Sequence, residues 1–247
     1  MKFEMYSVGH LLFLFLPIVS CVLVWYFLKD NKEKQVLFGK ILGWFSLSII
    51  VSRNIYILFN TGFSPEAIPL QVCHFGNIII FLSLVYKNKT ALVIGFLLNV
   101  PAGIISFIFA DSLASYTSVF DFLALVYIFG HLTIVVGGIY PFMFNAVKIT
   151  KEDVLKAVKV VAVIGVVAYF ANAYFHTVGF EKINYFYMYD GQGSPLGFIA
   201  DMFEPLIIGK FKFYLPFTFS MIVLGSGVAA LMGWISMLLH NRKTTTN

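Results

Sequence analysis

A thiol and an imidazole are the two groups in this chain best suited to covalent catalysis. Cys73 supplies the thiol and His131 the imidazole, and both fall in long apolar stretches. In a water-restricted cavity an imidazole can take a thiol's proton, and the thiolate can attack an ester carbonyl. Taken alone, Cys73 reads first as a small buried hydrophobe. His131 is an intramembrane histidine, which argues for function, with packing as the other reading. Around these two, further polar residues interrupt apolar runs: His10, Arg53, Asn54, His74, Asn77, Asn99, Asn172 and His176. Polar groups in hydrocarbon are costly, so they converge on a cavity or on each other.

Each of these has a role worth stating. Arg53 has the planar guanidinium that suits a phosphate or carboxylate, or it snorkels to the interface. Asn77 is four residues after Cys73 and shares its helix face, whereas His74 is turned about 100° away. Asn77, Asn99 or Tyr127, one turn before His131, can donate hydrogen bonds to an oxyanion. Asn99 with Pro101 also suggests a kink whose lost backbone bonds the side chain restores. Asn172 and His176 share one helix face and form either part of a pocket or a polar seam between helices. His10 is expected at the interface. A zinc site from Cys73, His74, His131 and His176 lacks diagnostic spacing, so no metal is expected, and no motif calls for a cofactor.

The elements that must position these residues follow from composition. The chain has 247 residues, 60% hydrophobic and 12% charged, with mean hydropathy +0.87. Soluble domains carry about 25% charged residues. The reading is all-α: a single polytopic helical domain over 1–247 in a cell membrane. Seven stretches are long enough to span, near 8–28, 36–59, 68–86, 90–110, 122–147, 154–178 and 213–239. Ile18-Val19-Ser20-Cys21 resembles a lipoprotein cleavage box, but the apolar run continues past it, so an uncleaved first span is expected. Cys21 and Cys73 both lie in spans, which disfavours a disulfide.

Lysines cluster in alternate connections, at 29–40, 87–89 and 148–159, with Arg242 and Lys243 in the tail. The connections near 60–67 and 111–121 have none. The positive-inside rule therefore puts the N-terminus outside and the C-terminus inside. The net charge of +5 reports orientation, not nucleic-acid binding. The long outer connection 180–212 is long enough to be functional. Within it, Asp190-Gly-Gln-Gly-Ser-Pro signals a turn, and 196–208 is expected at the interface or re-entering.

Several short motifs then resemble one family. Pro69-Leu70-Gln71-Val72-Cys73 resembles the Pro-Leu-x-Leu-Cys signature of bacterial YwaF-type integral membrane proteins, and Phe129-Gly130-His131-Leu132 resembles their single later histidine. Asn184-Tyr185 and Asp201-Met202-Phe203-Glu204-Pro205 resemble their Asn-Tyr and Asp-Phe-Leu-Gly-Pro elements, with Glu204 where glycine is usual. The order holds from about residue 8 to 239. That family is similar to an animal transmembrane family of phospholipid acyltransferases in which a cysteine carries the acyl group and a histidine assists. The resemblance implies Cys73 as nucleophile and His131 as base, with membrane lipids as substrates and a bacterial plasma membrane as location. Arg53, His74, Asn77, Asn99, Tyr127, Asn172, His176 and Asn184 are the expected substrate-binding residues. A hydrolase is the variant in which water accepts the acyl group. The competing expectation is a transporter, receptor or assembly factor with a polar outer pocket.

Overall fold

The computed structural model describes residues 2–144, 147–189 and 197–245. Seven helices are long and apolar enough to cross a membrane. In chain order they are built from α1 (Val8–Leu28), α2 (Lys32–Thr61), α3 (Val72–Val85), α4 (Lys89–Ile94) continued into α5 (Val100–Ile108), then, after the one-turn helix α6 (Asp111–Ala114), α7 (Phe122–Met143) and α8 (Lys151–Thr177). A one-turn helix α9 (Gly197–Ala200) and a small hairpin precede α10 (Leu215–Thr245).

Helices α2, α3, α5 and α7 pack on one another and form the centre of the bundle. Helix α1 lies against α7, while α8 and α10 pair and reach the centre through α4 and the segment after it. Close approach in the centre depends on glycine. A methyl at Gly138 of α7 would collide with Val100, and one at Gly103 would stand 2.8 Å from Val135 Cγ2. Small residues let membrane helices approach where no hydrophobic force drives them together.

Most spans begin and end near their expected positions, and the differences have local causes. Helix α8 starts at Lys151 because Thr150 and Asp153 form a reciprocal capping box. Helix α3 starts at Val72, later than the expected 68, because Pro65–Ala67 forms a 3₁₀ turn and Gln71 is extended. The fourth span contains a π-helical stretch, Gly95–Asn99, in which the Val100 amide donates to the Gly95 carbonyl. That stretch ends two residues before Pro101, which has no amide to donate.

The 180–212 connection is more structured than a loop. It contains a 3₁₀ turn at Tyr185–Tyr187 and the antiparallel strands β1 (Leu206–Ile208) and β2 (Phe211–Phe213) around Gly209, which has φ +60°. Phe198, Ile207 and Ile208 are exposed. The turn signal at 190–195 lies outside the described residues. His10 is buried within the protein: its Nε2 donates to the Phe107 carbonyl and its Nδ1 accepts from the Tyr6 amide, tying α1 to α5.

Candidate active site

Cys73 stands in the first turn of α3. The residue before the helix, Gln71, makes no capping hydrogen bond, so the first-turn amides are not covered by a side chain. An uncapped helix start concentrates partial positive charge, which favours an anion there. One turn on, Asn77 Nδ2 donates to the Cys73 carbonyl at 2.9 Å. Asn77 Oδ1 accepts from Ser46 of α2 at 2.8 Å and Thr133 of α7 at 3.1 Å. One buried amide thus ties the cysteine-bearing turn to both neighbouring helices.

His131 sits one turn into α7 from Tyr127. Its Nδ1 is 2.7 Å from the Tyr127 carbonyl, which can only accept. Nδ1 therefore carries the proton, and Nε2 presents its lone pair. The Tyr127 ring lies 4.2 Å from the imidazole, centre to centre, and its hydroxyl donates to the Ser106 carbonyl at 2.6 Å. The imidazole is held on one side by its own helix and on the other by a tethered ring.

Arg53 comes from the far half of α2. Its Nη1 donates to the Glu66 carbonyl at 3.1 Å and to Asn54 Oδ1, while Asn54 Nδ2 donates to the Ala67 carbonyl at 2.9 Å. Neighbouring residues thus hold the 3₁₀ turn that leads into α3. Arg53 Nε and Nη2 make no hydrogen bond among the described residues, and the guanidinium is within electrostatic range of Cys73, Glu66 and Tyr116.

These side chains line one cavity of about 470 Å³: Arg53, Cys73, His74, Asn77, Asn99, Tyr127 and His131 all border it. That volume matches small-molecule and cofactor sites. Cys73 and His131 make no hydrogen bond to each other; they face the same space from α3 and α7. Two buried polar atoms there have no partner, His74 Nδ1 and Asn99 Oδ1. Asn99 does not repair its own helix at Pro101, as the kink reading expected. Its Nδ2 donates to the Val72 carbonyl at 3.2 Å, so the π stretch delivers Asn99 to the start of α3. The small Gly76 makes room, since a methyl there would stand 2.9 Å from Asn99 Nδ2.

Three expected site residues do not border the cavity. Asn172 Nδ2 donates to the Tyr185 carbonyl at 3.0 Å and its Oδ1 accepts from the Tyr185 amide at 2.6 Å. His176 Nε2 donates to the Ile183 carbonyl at 2.7 Å, and its ring stacks on Tyr189. Asn184 Oδ1 accepts from the Tyr189 amide. Together they shape the 183–189 segment, whose Ile183 and Tyr187 do border the cavity, as does Lys182. Tyr185 anchors the segment across the mouth, its hydroxyl donating to the Pro65 carbonyl at 2.6 Å. Phe186 and Tyr187 both hold positive φ, 53° and 52°, which is uncommon for bulky residues.

Sequence reasoning missed Glu66, Tyr116, Lys182 and Tyr187 as lining residues, and the helix-start amides as donors. Only proximity to Pro69, just before the helix, hinted at the amides. Burial pushes the Tyr116 phenol above its ordinary value, against the pull of nearby Arg53. Burial also pushes Tyr187 up. Both hydroxyls therefore stay protonated near neutrality. Among the described residues no group of three or more His, Cys, Asp or Glu is placed to hold a metal ion.

A family model, that of the TMEM164 family, matches residues 5–241. The chain belongs to the TMEM164 family. The match covers all seven spans, so this is a multi-pass membrane member of that family. No curated protein and no solved structure matches the chain.

Proposed function

We propose that this TMEM164-family chain is a lipid acyltransferase, or an acyl-ester hydrolase when water is the acceptor, with Cys73 as nucleophile and His131 as base. The observation that carries this reading is the shared cavity. A thiol at a helix start and an imidazole with a free Nε2 face the same 470 Å³ space beside an arginine with free donors.

In the first half-reaction His131 Nε2 takes the Cys73 thiol proton, and Sγ attacks the ester carbonyl carbon. The oxyanion gains support from the amides at the start of α3. The Tyr127 hydroxyl, the Asn77 amide and the Asn99 amide are poorer donors, because each already donates to a backbone carbonyl. The tetrahedral adduct collapses, the C–O bond breaks, and His131 returns the proton to the leaving oxygen. Cys73 then holds a thioester. In the second half the acceptor hydroxyl, from a lysolipid or water, gives its proton to His131 and attacks the thioester carbonyl. The C–S bond breaks and sulfur regains the proton. Arg53 is assigned to the lipid phosphate, with the protonated Tyr116 beside it. Asn172, His176 and Asn184 act on substrate through the 183–189 segment.

The remaining parts of the proposal are a bacterial plasma membrane, an outward-facing N-terminus and cavity, and membrane lipids as substrates. The test is intact-mass analysis of purified protein after incubation with phospholipid. An acyl mass on Cys73 that is absent in Cys73→Ser and reduced in His131→Ala supports the reading. A well-folded wild type that never acquires an acyl mass, yet binds lipid, overturns it in favour of a binding or transport role.

A further inference from the structure

A second recess lies at the opposite end of the bundle from Cys73. It is formed where α2 and α4 begin and where α3 and α7 end, and it has a volume of about 570 Å³. Its walls are apolar, supplied by Val36, Leu84, Leu92, Pro141 and Phe144. Three cations border it: Lys87, Lys89 and Lys148. They differ in one respect. Lys89 Nζ is paired with Asp153 at 2.9 Å, so its charge is neutralised locally. Lys87 and Lys148 have no acidic partner among the described residues and leave two uncompensated positive charges at an apolar recess.

The recess is held open by specific contacts. The Tyr140 hydroxyl donates to the Gln35 carbonyl, bracing the end of α7 against the start of α2. Gly39 is small there, since a methyl would stand 3.1 Å from the Tyr140 ring. Lys87 takes φ +54° in the short turn between α3 and α4. Lysine is an unusual choice for the left-handed region, where Gly or Asn is favoured, and such strain concentrates at functional positions.

We infer that this recess binds an anionic membrane phospholipid, with its phosphate between Lys87 and Lys148 and its acyl chain along the apolar wall. Charge complementarity selects an anion. The apolar wall selects an amphiphile over a free ion. Basic recesses between membrane helices bind anionic headgroups in this way. The inference uses none of the cavity residues and stands whether or not Cys73 forms a thioester.

The test is native mass spectrometry of the full chain released from mixed micelles of phosphatidylglycerol and phosphatidylcholine with matched chains, in excess inorganic phosphate. Wild type should retain phosphatidylglycerol preferentially. K87Q/K148Q should lose roughly ten- to thirtyfold of that preference, from about one lysine's worth of attraction at each position. K32Q/K34Q removes equal charge from exposed positions outside the recess and should keep the preference. L92W fills the wall and should reduce retention with both lysines intact. Equal loss in the two double variants would overturn the proposal in favour of diffuse surface charge. Elimination of wild-type retention by inorganic phosphate would overturn it in favour of a free-anion site. K148Q alone, on an exposed residue, keeps the comparison readable if the double variant does not fold.

Discussion

At the scale of single residues, the two histidines that border the cavity with Cys73 divide the work. His131 has a fixed tautomer with Nε2 free, whereas His74 follows Cys73 directly and has an unpartnered Nδ1. Loss of a general base costs on the order of 10²- to 10⁴-fold in rate. His131→Ala should therefore slow acyl loading of Cys73 by that order, while His74→Ala should chiefly weaken lipid binding. Rapid-quench mass analysis of the acyl-enzyme separates the two. The reverse ranking would make His74 the base. Arg53 gives a second test. If its fork holds a phosphate, Arg53→Lys keeps the charge but loses the planar two-donor geometry. The expected outcome is a raised KM with kcat little changed, read from a lipid concentration series.

At the scale of elements, Asn77 and Asn172 act as joints, Asn77 from the cavity wall and Asn172 from outside it. Asn77 links α2, α3 and α7 through three side-chain bonds, so Asn77→Ala removes all three together, leaving Ser46 only its bond to the Asn77 backbone carbonyl and Thr133 only its bond to the Gly130 carbonyl. Interhelical polar bonds in membranes are each worth about 0.6–2 kcal/mol. Asn77→Ala should lower the thermal midpoint in detergent and reduce activity in parallel, whereas a pure substrate contact would leave the midpoint unchanged. Asn172 grips Tyr185 through both its donor and its acceptor. Asn172→Leu should release the 183–189 segment, visible as faster amide exchange there with the helices still protected. Unchanged exchange in that segment would show that Tyr185 is held by its Pro65 contact alone.

At the scale of the whole molecule, the bundle has the Cys73 cavity at one end and a basic recess at the other. The cavity is bordered by 60–61, 66, 112 and 116, from the two connections without lysine, and by Lys182, Ile183 and Tyr187, whereas the second recess carries Lys87, Lys89 and Lys148. In a Cys21→Ser background, a membrane-impermeant thiol reagent should label Cys73 from the side that carries the N-terminus and fail from the other. Labelling only from the C-terminal side would invert the proposed orientation.

The sequence by itself determined the class of molecule and nearly all the spans. Length and hydropathy suffice for that, because a membrane demands about 20 apolar residues per helix wherever they occur. Cys73 and His131 were also legible, because a polar group in an apolar run is conspicuous. Which polar groups meet was decided by tertiary structure. Asn172 and His176 look as conspicuous in the sequence as Asn77 and Asn99, yet they bind a loop outside the cavity. The spacing along one helix fixes the face a residue shares, not the partner that face meets. The start of α3 at Val72 was likewise hidden, since it depends on a 3₁₀ turn held by Arg53 and Asn54 from another helix. That turn sets Cys73 in the first turn of a helix whose start has no side-chain cap, and hydropathy carries no record of backbone amides.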